Sequence, residues 1–256
     1  MHITSRDNAR FKQLKKLAES ARERRKLTQT LLDGAHLLQA YLAEFGLPRL
    51  LIIPEGVPAT AEVADLARAC AKADTLILTP ALFAELSPVA TPSGILALVD
   101  IPHLALPATS HFGLLLEDIQ DPGNLGSLLR SAAAAGVDQV WLSPGCADAW
   151  SPRVLRGGMG AHFLLPIVER ADLGAVAAAF HGQTLATCLG GLPLYGLDLT
   201  GPVAFIIGNE GAGLSMELQI VASTRVAIPM PGRVESLNAA AAAAICLFER
   251  VRQVSH

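Results

Sequence analysis

The sequence predicts an α/β protein in two parts: a small α/β domain over residues 1–100 and a larger domain over 111–256, joined by a linker over 101–110. The larger part is expected to carry a mostly parallel sheet with helices on both faces. Three observations support this reading. Apolar runs of strand length alternate with helical periodicity through the second half of the chain, the pattern of successive βα units. Prolines and small polar residues cluster between 101 and 110 (Ile101-Pro102-His103, then Pro107-Ala108-Thr109-Ser110), as in a domain linker. The composition is globular, with 51% hydrophobic and 17% charged residues among 256 and a mean hydropathy of +0.40. Much of the apolar content is alanine. The longest apolar run, 239–248, has ten residues; a bilayer span needs about 20, so no membrane segment is expected.

In the first domain, Phe11, Leu14, Leu17 and Ala18 recur at helical spacing between Asn8 and Ser20, with basic residues between them. Asp33-Gly34 separates this stretch from a second helical run over 35–45, which stops at Gly46 and Pro48. Strand-length runs follow at 50–53, 76–78 and 95–99, with a helical segment at 61–71. In the second domain, strands are expected near 112–116, 139–142, 163–167, 184–188, 203–207 and 225–228. Helices are expected near 125–135, 171–180, 214–221 and 237–252. The last helix is apolar on every side over 239–248. The sheet covers one side of such a helix, so a second copy of the chain is expected on the other, with Ala243 in the contact.

Charge is unevenly placed. Lys and Arg number 20 against 23 Asp and Glu, for a net charge of −3, which excludes a wholly basic nucleic-acid coat and a highly charged disordered tail. The first thirty residues nevertheless hold nine basic groups (Arg6, Arg10, Lys12, Lys15, Lys16, Arg22, Arg24, Arg25, Lys26) against Asp7, Glu19 and Glu23, and no lysine follows Lys72. A basic arm on an acidic body suits phosphate binding; the simpler reading is a solvated helix face. Cys70, Cys146, Cys188 and Cys246 show no CxxC or CxH spacing and read as four buried thiols, not a zinc site or disulfide framework. His36, His103, His111, His162 and His181 lack metal-ligand spacing, and no metal is expected. Residues 1–16 are charged and polar, without the apolar core of a secretory signal, so a cytoplasmic location is expected. Trp141 and Trp150 read first as core and second as base-stacking groups.

Ligands of parallel sheets sit at the carboxyl ends of the strands, which directs attention to the loops that follow them. In the first loop, from Leu115 to Arg130, a strand ends at a turn of Asp121-Pro122-Gly123. Asn124 then stands where it can cap a helix, with Arg130 about two turns on. In the second, a buried strand, Phe205-Ile206-Ile207, runs into Gly208-Asn209-Glu210-Gly211-Ala212-Gly213. Its glycines let a ligand approach bare backbone. It is neither a dinucleotide fingerprint nor a phosphate loop, because GxGxxG and GK[ST] are both missing. The third, Ile228-Pro229-Met230-Pro231-Gly232-Arg233-Val234-Glu235-Ser236-Leu237-Asn238, is stiffened by two prolines and ends where Ser236 or Asn238 can cap the alanine helix.

Taken together, Asn124-x-Gly126-x-x-x-Arg130, Gly208-x-Glu210-Gly211-x-Gly213-Leu214 and Ile228-Pro229-Met230…Ser236-Leu237-Asn238 resemble the three motifs of SpoU-type (TrmH-like) RNA 2′-O-ribose methyltransferases. The stretch from Arg22 to Leu38 is similar to the family's substrate-binding domain, so the resemblance covers most of the chain. In a further segment from Ser151 to Phe163, Gly157 and Gly158 stand where the family usually has Ala and Ser. The resemblance implies a deep trefoil knot, S-adenosyl-L-methionine as cofactor, structured rRNA or tRNA as substrate, and a homodimer.

It implies a catalytic group of Arg130, Asn124, Glu210, Ser236 and Asn238. Arg130 would stabilise the developing alkoxide, because a guanidinium does not deprotonate in proteins. Asn124 would orient Arg130 or the ribose, Glu210 would fix the second loop or Asn124, and Ser236 and Asn238 would shape the third loop. Gly208, Ile228 and Leu237, with Thr187 and Met230 beside them, are the implied cofactor contacts. Arg22, Arg24, Arg25, Lys26, Arg153 and Arg156 are the implied RNA contacts. Two other readings stay open here: an RNA-binding protein that has lost the chemistry, and a knotted methyltransferase acting on a base.

Overall fold

The computed structural model describes residues 1–89, 92–233 and 236–255; Val234 and Glu235 of the third loop lie outside the described residues. The chain forms two compact units, Met1–His103 with Trp150–Phe163, and Leu104–Ala149 with Leu164–His256. The second unit is therefore not the unbroken 111–256 stretch expected from the linker, because Trp150–Phe163 packs with the first.

The first unit holds β1 (His2–Ile3), α1 (Ala9–Glu19), α2 (Ala21–Leu27), β2 (Gln29–Asp33), α3 (Ala35–Phe45), β3 (Leu50–Pro54), α4 (Ala61–Ala69), β4 (Asp74–Leu78), α5 (Pro80–Leu86) and β5 (Leu96–Asp100). The strands form one sheet in the order β1-β4-β3-β5-β2, antiparallel only where β5 meets β2 and β3. Asn8 caps α1, and its Phe11, Leu14 and Leu17 are buried in the core with Leu31, Ile52 and Leu76. The sequence reading missed β1, α2, β2 and α5. Strand β1 has two residues, α2 (ARERRKL) carries no apolar stripe, and β2 (QTLLD) follows directly on that charged run.

The second unit holds β6 (Phe112–Leu116), α6 (Pro122–Ala135), β7 (Gln139–Leu142), β8 (Ile167–Val168), α8 (Leu173–Ala179), β9 (Gln183–Pro193), β10 (Val203–Ile207), α9 (Met216–Val221), β11 (Thr224–Ala227) and α10 (Ala239–Val254). The segment returned to the first unit carries α7 (Pro152–Gly158) and a 3-10 turn, Ala161–Phe163. Of the strand expected near 163–167, Phe163 ends this turn, 164–166 are irregular and only Ile167 belongs to a strand, β8; α7 was not foreseen. The six strands pair in the order β11-β9-β10-β6-β7-β8, every pair parallel. From β6 the chain moves outward to β7 and β8, then returns to the other side of β6. The order reverses between β6 and β10, and their carboxyl ends meet where Leu116 lies opposite Ile207. Reversal points of this kind leave a crevice between diverging loops.

Helix α10 packs along α6, burying Ala239, Ala243, Cys246 and Leu247. Ala243 is 0% exposed within a single chain. It is therefore a core position rather than the dimer contact expected from the sequence, and the helix is not uniformly apolar in its surroundings: Ala241 and Phe248 remain exposed. Of the four thiols expected to be buried, Cys70 and Cys246 are, whereas Cys146 and Cys188 are half-buried. Burial pushes the Cys246 thiol up to about 12. Among the described residues no helix is long and apolar enough to cross a membrane.

The end of α10 is tied down by charge. Arg252 donates two hydrogen bonds to Glu249, at 2.9 and 2.8 Å, and Gln253 donates to Glu249 at 2.8 Å. Gln253 also bonds Leu197 O and Leu199 N–H, joining the helix to the loop after β9. The Arg252 and Gln253 hydrogen bonds hold the Glu249 carboxyl down at about 2. The stability this supplies is complete above the ordinary carboxylate value and is lost as pH falls toward 2. Denaturant midpoints measured from pH 6 to 2 are expected to fall more steeply for the native chain than for Glu249→Gln, which has no proton to take up.

Candidate active site at the carboxyl edge of the parallel sheet

Beside the reversal point of the sheet, at the carboxyl ends of β9, β10 and β11, lies a cleft of about 410 Å³. Its size falls in the range of small-molecule sites. Thr187 and Cys188 of β9 form one side, the loop from Ile207 to Leu214 another, and Ile228, Met230, Ser236 and Leu237 the third. About half of the lining residues are apolar; the rest are the glycines of the second loop and a few polar side chains, Thr187, Asn209, Glu210, Gln219 and Ser236 among them.

The second loop is shaped by what it lacks. A Cβ on Gly208 would lie 2.4 Å from the carbonyl carbon of Gly213, so any side chain would force the loop open. Gly213 has φ +70°, where a side chain is strained. Asn209 closes the loop through backbone bonds with Gly213 in both directions, at 3.1 and 2.9 Å. Its side-chain oxygen accepts from Gly211 N–H at 2.9 Å and Ala212 N–H at 3.0 Å. Sequence reasoning gave Asn209 no role; the one available signal was an Asn inside a glycine cluster, the composition of an Asx turn. Glu117 was also missed. Its carboxylate accepts from the Ser215 N–H at 2.8 Å and so anchors the far end of the loop at the start of α9.

Asn124, Glu210 and Asn238 come from three separate loops and are joined in one hydrogen-bonded chain. Asn238 caps α10, its Oδ1 accepting from Ala240 and Ala241 N–H at 3.0 and 3.3 Å. Those partners are obligate donors, so the Asn238 amide nitrogen must face the other way, and it donates to Asn124 Oδ1 at 2.9 Å. Asn124 Nδ2 is then left to donate to Glu210 Oε1, at 2.9 Å. The order of donors and acceptors is set from the helix end outward. Asn124 is not the cap of α6 expected from the sequence. Asp121 is, accepting from the Asn124 backbone N–H at 2.7 Å, because Pro122 starts the helix one turn earlier. That frees the Asn124 side chain for the chain of bonds.

Of the residues singled out in the sequence, Gly208, Ile228, Leu237, Thr187, Met230, Glu210 and Ser236 line the cleft. The Thr187 hydroxyl donates to Ile206 O at 2.9 Å, so its proton is committed to the sheet. Asn124 and Asn238 join the cleft through Glu210. Arg130 does not border it. It is exposed, six residues beyond Asn124 on α6 and so about 9 Å along the axis, and it makes no hydrogen bond or ion pair with a described residue.

In the first unit Arg22, Arg25 and Lys26 are exposed on α2. Arg24 is a correction: it is 3% exposed, and its guanidinium donates to Leu17 O at 2.5 Å and Ala18 O at 3.1 Å, satisfying the last carbonyls of α1. Its charge is spent inside the fold and offers no surface to RNA. On α7, Arg153 is exposed, and Arg156 lies 3.8 Å from the buried Asp33 carboxylate. Trp150 is buried against His162, and Trp141 packs on the core of the second unit.

Comparison with known proteins agrees with this geometry. The SpoU rRNA Methylase family matches residues 111–248, and the MRM3-like substrate binding domain matches 8–97. An uncharacterized tRNA/rRNA methyltransferase of Synechocystis is 34% identical, covering 98% of this chain and 93% of that protein. The 23S rRNA (guanosine(2553)-2′-O)-methyltransferase RlmP of Bacillus subtilis is 33% identical, covering 96% and 97%. Among solved structures, the SpoU methyltransferase AviRb from Streptomyces viridochromogenes in complex with AdoMet matches with a TM-score of 0.86 at 30% identity, covering 96% of this chain and 98% of that one.

The Asn238 amide serves both a helix cap and the bond to Asn124, whereas the Asn124 side chain caps nothing. Asn238→Ala is expected to cost about 1 kcal/mol of stability and Asn124→Ala clearly less, as read by urea titration.

Proposed function

The chain belongs to the SpoU rRNA methylase family, and from that premise we propose that it transfers a methyl group from S-adenosylmethionine to a ribose 2′-hydroxyl of ribosomal RNA. The observation that carries this reading is the bonded chain Asn238–Asn124–Glu210, which unites the three motif loops beside the cleft. The residues present fit the cofactor. Ile207, Leu214, Val226, Ile228 and Leu237 give apolar walls for a flat base, and the bare backbone of Gly208, Gly211 and Gly213 can approach polar edges closely. When bound, S-adenosylmethionine supplies an already activated sulfonium methyl. The protein's task is then to place the ribose oxygen and manage its proton.

Glu210 holds the Asn124 amide, and Asn124 in turn presents a fixed polar edge at the rim of the cleft, where a ribose would be oriented. Ser236 and Leu237 close the cleft from the third loop. Arg130 stabilises negative charge on the attacking oxygen, and a water or an RNA phosphate takes the proton. Because Arg130 lies outside the cleft of its own chain, it is assigned to the cleft of a second copy, which makes the homodimer the working form. The exposed Ala241 and Phe248 on α10 are the positions left to contact that copy. The C-terminal segment is taken to be knotted, as the family resemblance implies. Arg22, Arg25 and Lys26 on α2, with Lys16 on α1 and Arg153 on α7, supply exposed cations for RNA phosphates. A cytoplasmic location is part of this reading, supported by the bacterial rRNA methyltransferase among the relatives.

The reading is tested by titration calorimetry with S-adenosylmethionine and by mapping ribose methylation in rRNA from a deletion strain. Arg130→Ala is expected to keep cofactor affinity within a few-fold and to lose turnover; a large loss of cofactor binding would contradict its role. Phe248→Glu is expected to give folded monomers with little activity by light scattering, and a monomeric, fully active native protein would remove the dimer.

A further inference from the structure

Three groups meet at the ends of β7, β6 and β10: Ser143 and Asp118, which do not line the cleft, and Asn209, which does. Asp118, just past β6, has φ 52°, one of four described non-glycine residues in the left-handed region. Its backbone N–H donates to Ser143 Oγ at 2.9 Å, and that hydroxyl donates back to Asp118 Oδ1 at 2.5 Å. The two bonds close a ring on a single residue. They hold a conformation that Asp tolerates better than most side chains, because its short carboxylate can be satisfied locally. Ser143 is itself set by its N–H, which donates to Leu116 O at 3.0 Å. Space is reserved for the arrangement: a Cβ on Gly145 would lie 2.2 Å from Asp118 Oδ1. So held, the Asp118 carbonyl accepts from Asn209 Nδ2 at 2.8 Å. The opposite end of that same amide, Oδ1, gathers the Gly211 and Ala212 N–H groups of the cleft loop.

We propose that Asp118, locked by Ser143, is a positioning residue for the cofactor: it fixes the Asn209 amide and through it the backbone of the Gly208–Gly213 loop. This deepens the reading of the cleft as the S-adenosylmethionine site and rests on it. The direction of influence is set by donor chemistry. Asp118 O can only accept, so Asn209 must turn its nitrogen toward β6 and its oxygen toward the loop. If Asp118 leaves the left-handed region, the carbonyl swings away and the amide loses the partner that decides its orientation. Asp118 and Ser143 do not line the cleft and act only through Asn209, so the effect belongs to cofactor binding and not to the chemical step.

Asp118→Ala removes both the local satisfaction and the tolerance for positive φ, and is expected to raise the S-adenosylmethionine Kd and KM about tenfold, with kcat at saturating cofactor nearly unchanged. Asp118→Asn keeps a short side chain that accepts from Ser143 and is expected to restore affinity to within about twofold. Amide hydrogen exchange at Gly211 and Ala212 in the cofactor-free protein is expected to speed up in Asp118→Ala and to return to the native rate in Asp118→Asn. A purely structural role would lower thermal stability without this split or rescue. If Asp118→Ala does not fold, Ser143→Ala, which deletes only the lock, is expected to show the same pattern at about threefold. Native Kd and native exchange in the folded variants overturn the proposal. A native protein that binds no S-adenosylmethionine overturns the reading of the cleft itself, a distinct result visible before any variant is made.

Discussion

The two free N–H groups at the start of α10 set the polarity of the whole site. A helix leaves its first N–H groups unpaired, and Asn238 meets two of them with its side-chain oxygen. An amide that gives its oxygen to a helix has only its nitrogen left to offer elsewhere. Asn124 must therefore accept from Asn238 and donate to Glu210, so residues 114 and 86 positions apart in sequence are held in one orientation. The cap belongs to the stability of α10 and the bond to Asn124 belongs to the site, and the same side chain makes both.

The all-parallel sheet explains why these loops meet at all. Parallel strands all point the same way, so every loop that follows a strand emerges at one edge. The strand order reverses between β6 and β10, and the cleft opens beside that point, at the carboxyl ends of β9, β10 and β11. Small residues then allow close approach: Gly208 against Gly213, and Gly145 against Asp118. Polar side chains behind the cleft (Glu117, Asp118, Ser143) bind loop to loop, with Asn209 of the lining bonded to Asp118.

The basic arm illustrates how little a count of charges says about their use. Arg6 and Lys15 are both paired with Glu85, whose carboxyl the Lys15 hydrogen bond holds below its ordinary value. Lys12 pairs with Asp7, and Arg24 is enclosed between α1 and α2. What remains exposed without a pairing among described residues is a smaller set, Lys16, Arg22, Arg25 and Lys26. These are the charges available to a polyanion, since an unpaired exposed cation can neutralise a phosphate and release the counterions condensed on the nucleic acid.

Elements with a full period were legible in the sequence by themselves. The helix at 35–45 and the strands at 112–116, 139–142 and 203–207 appear where the apolar pattern puts them, because each buries one face or both against a single layer. The three motif loops were legible too, since glycine, proline and a capping amide are demanded by local backbone geometry. Tertiary structure decided the rest. Arg24 looks like its neighbours until α1 ends beside it. Asn124 looks like a cap until Asp121 takes that place, and Ala243 looks like a subunit contact until its own chain buries it. Trp150–Phe163 returns to the first unit through bonds such as Thr30 Oγ1 to Trp150 O, 2.7 Å, which no local pattern encodes. In each case the deciding partner is distant in sequence or belongs to another element, and periodicity carries no record of which distant group arrives.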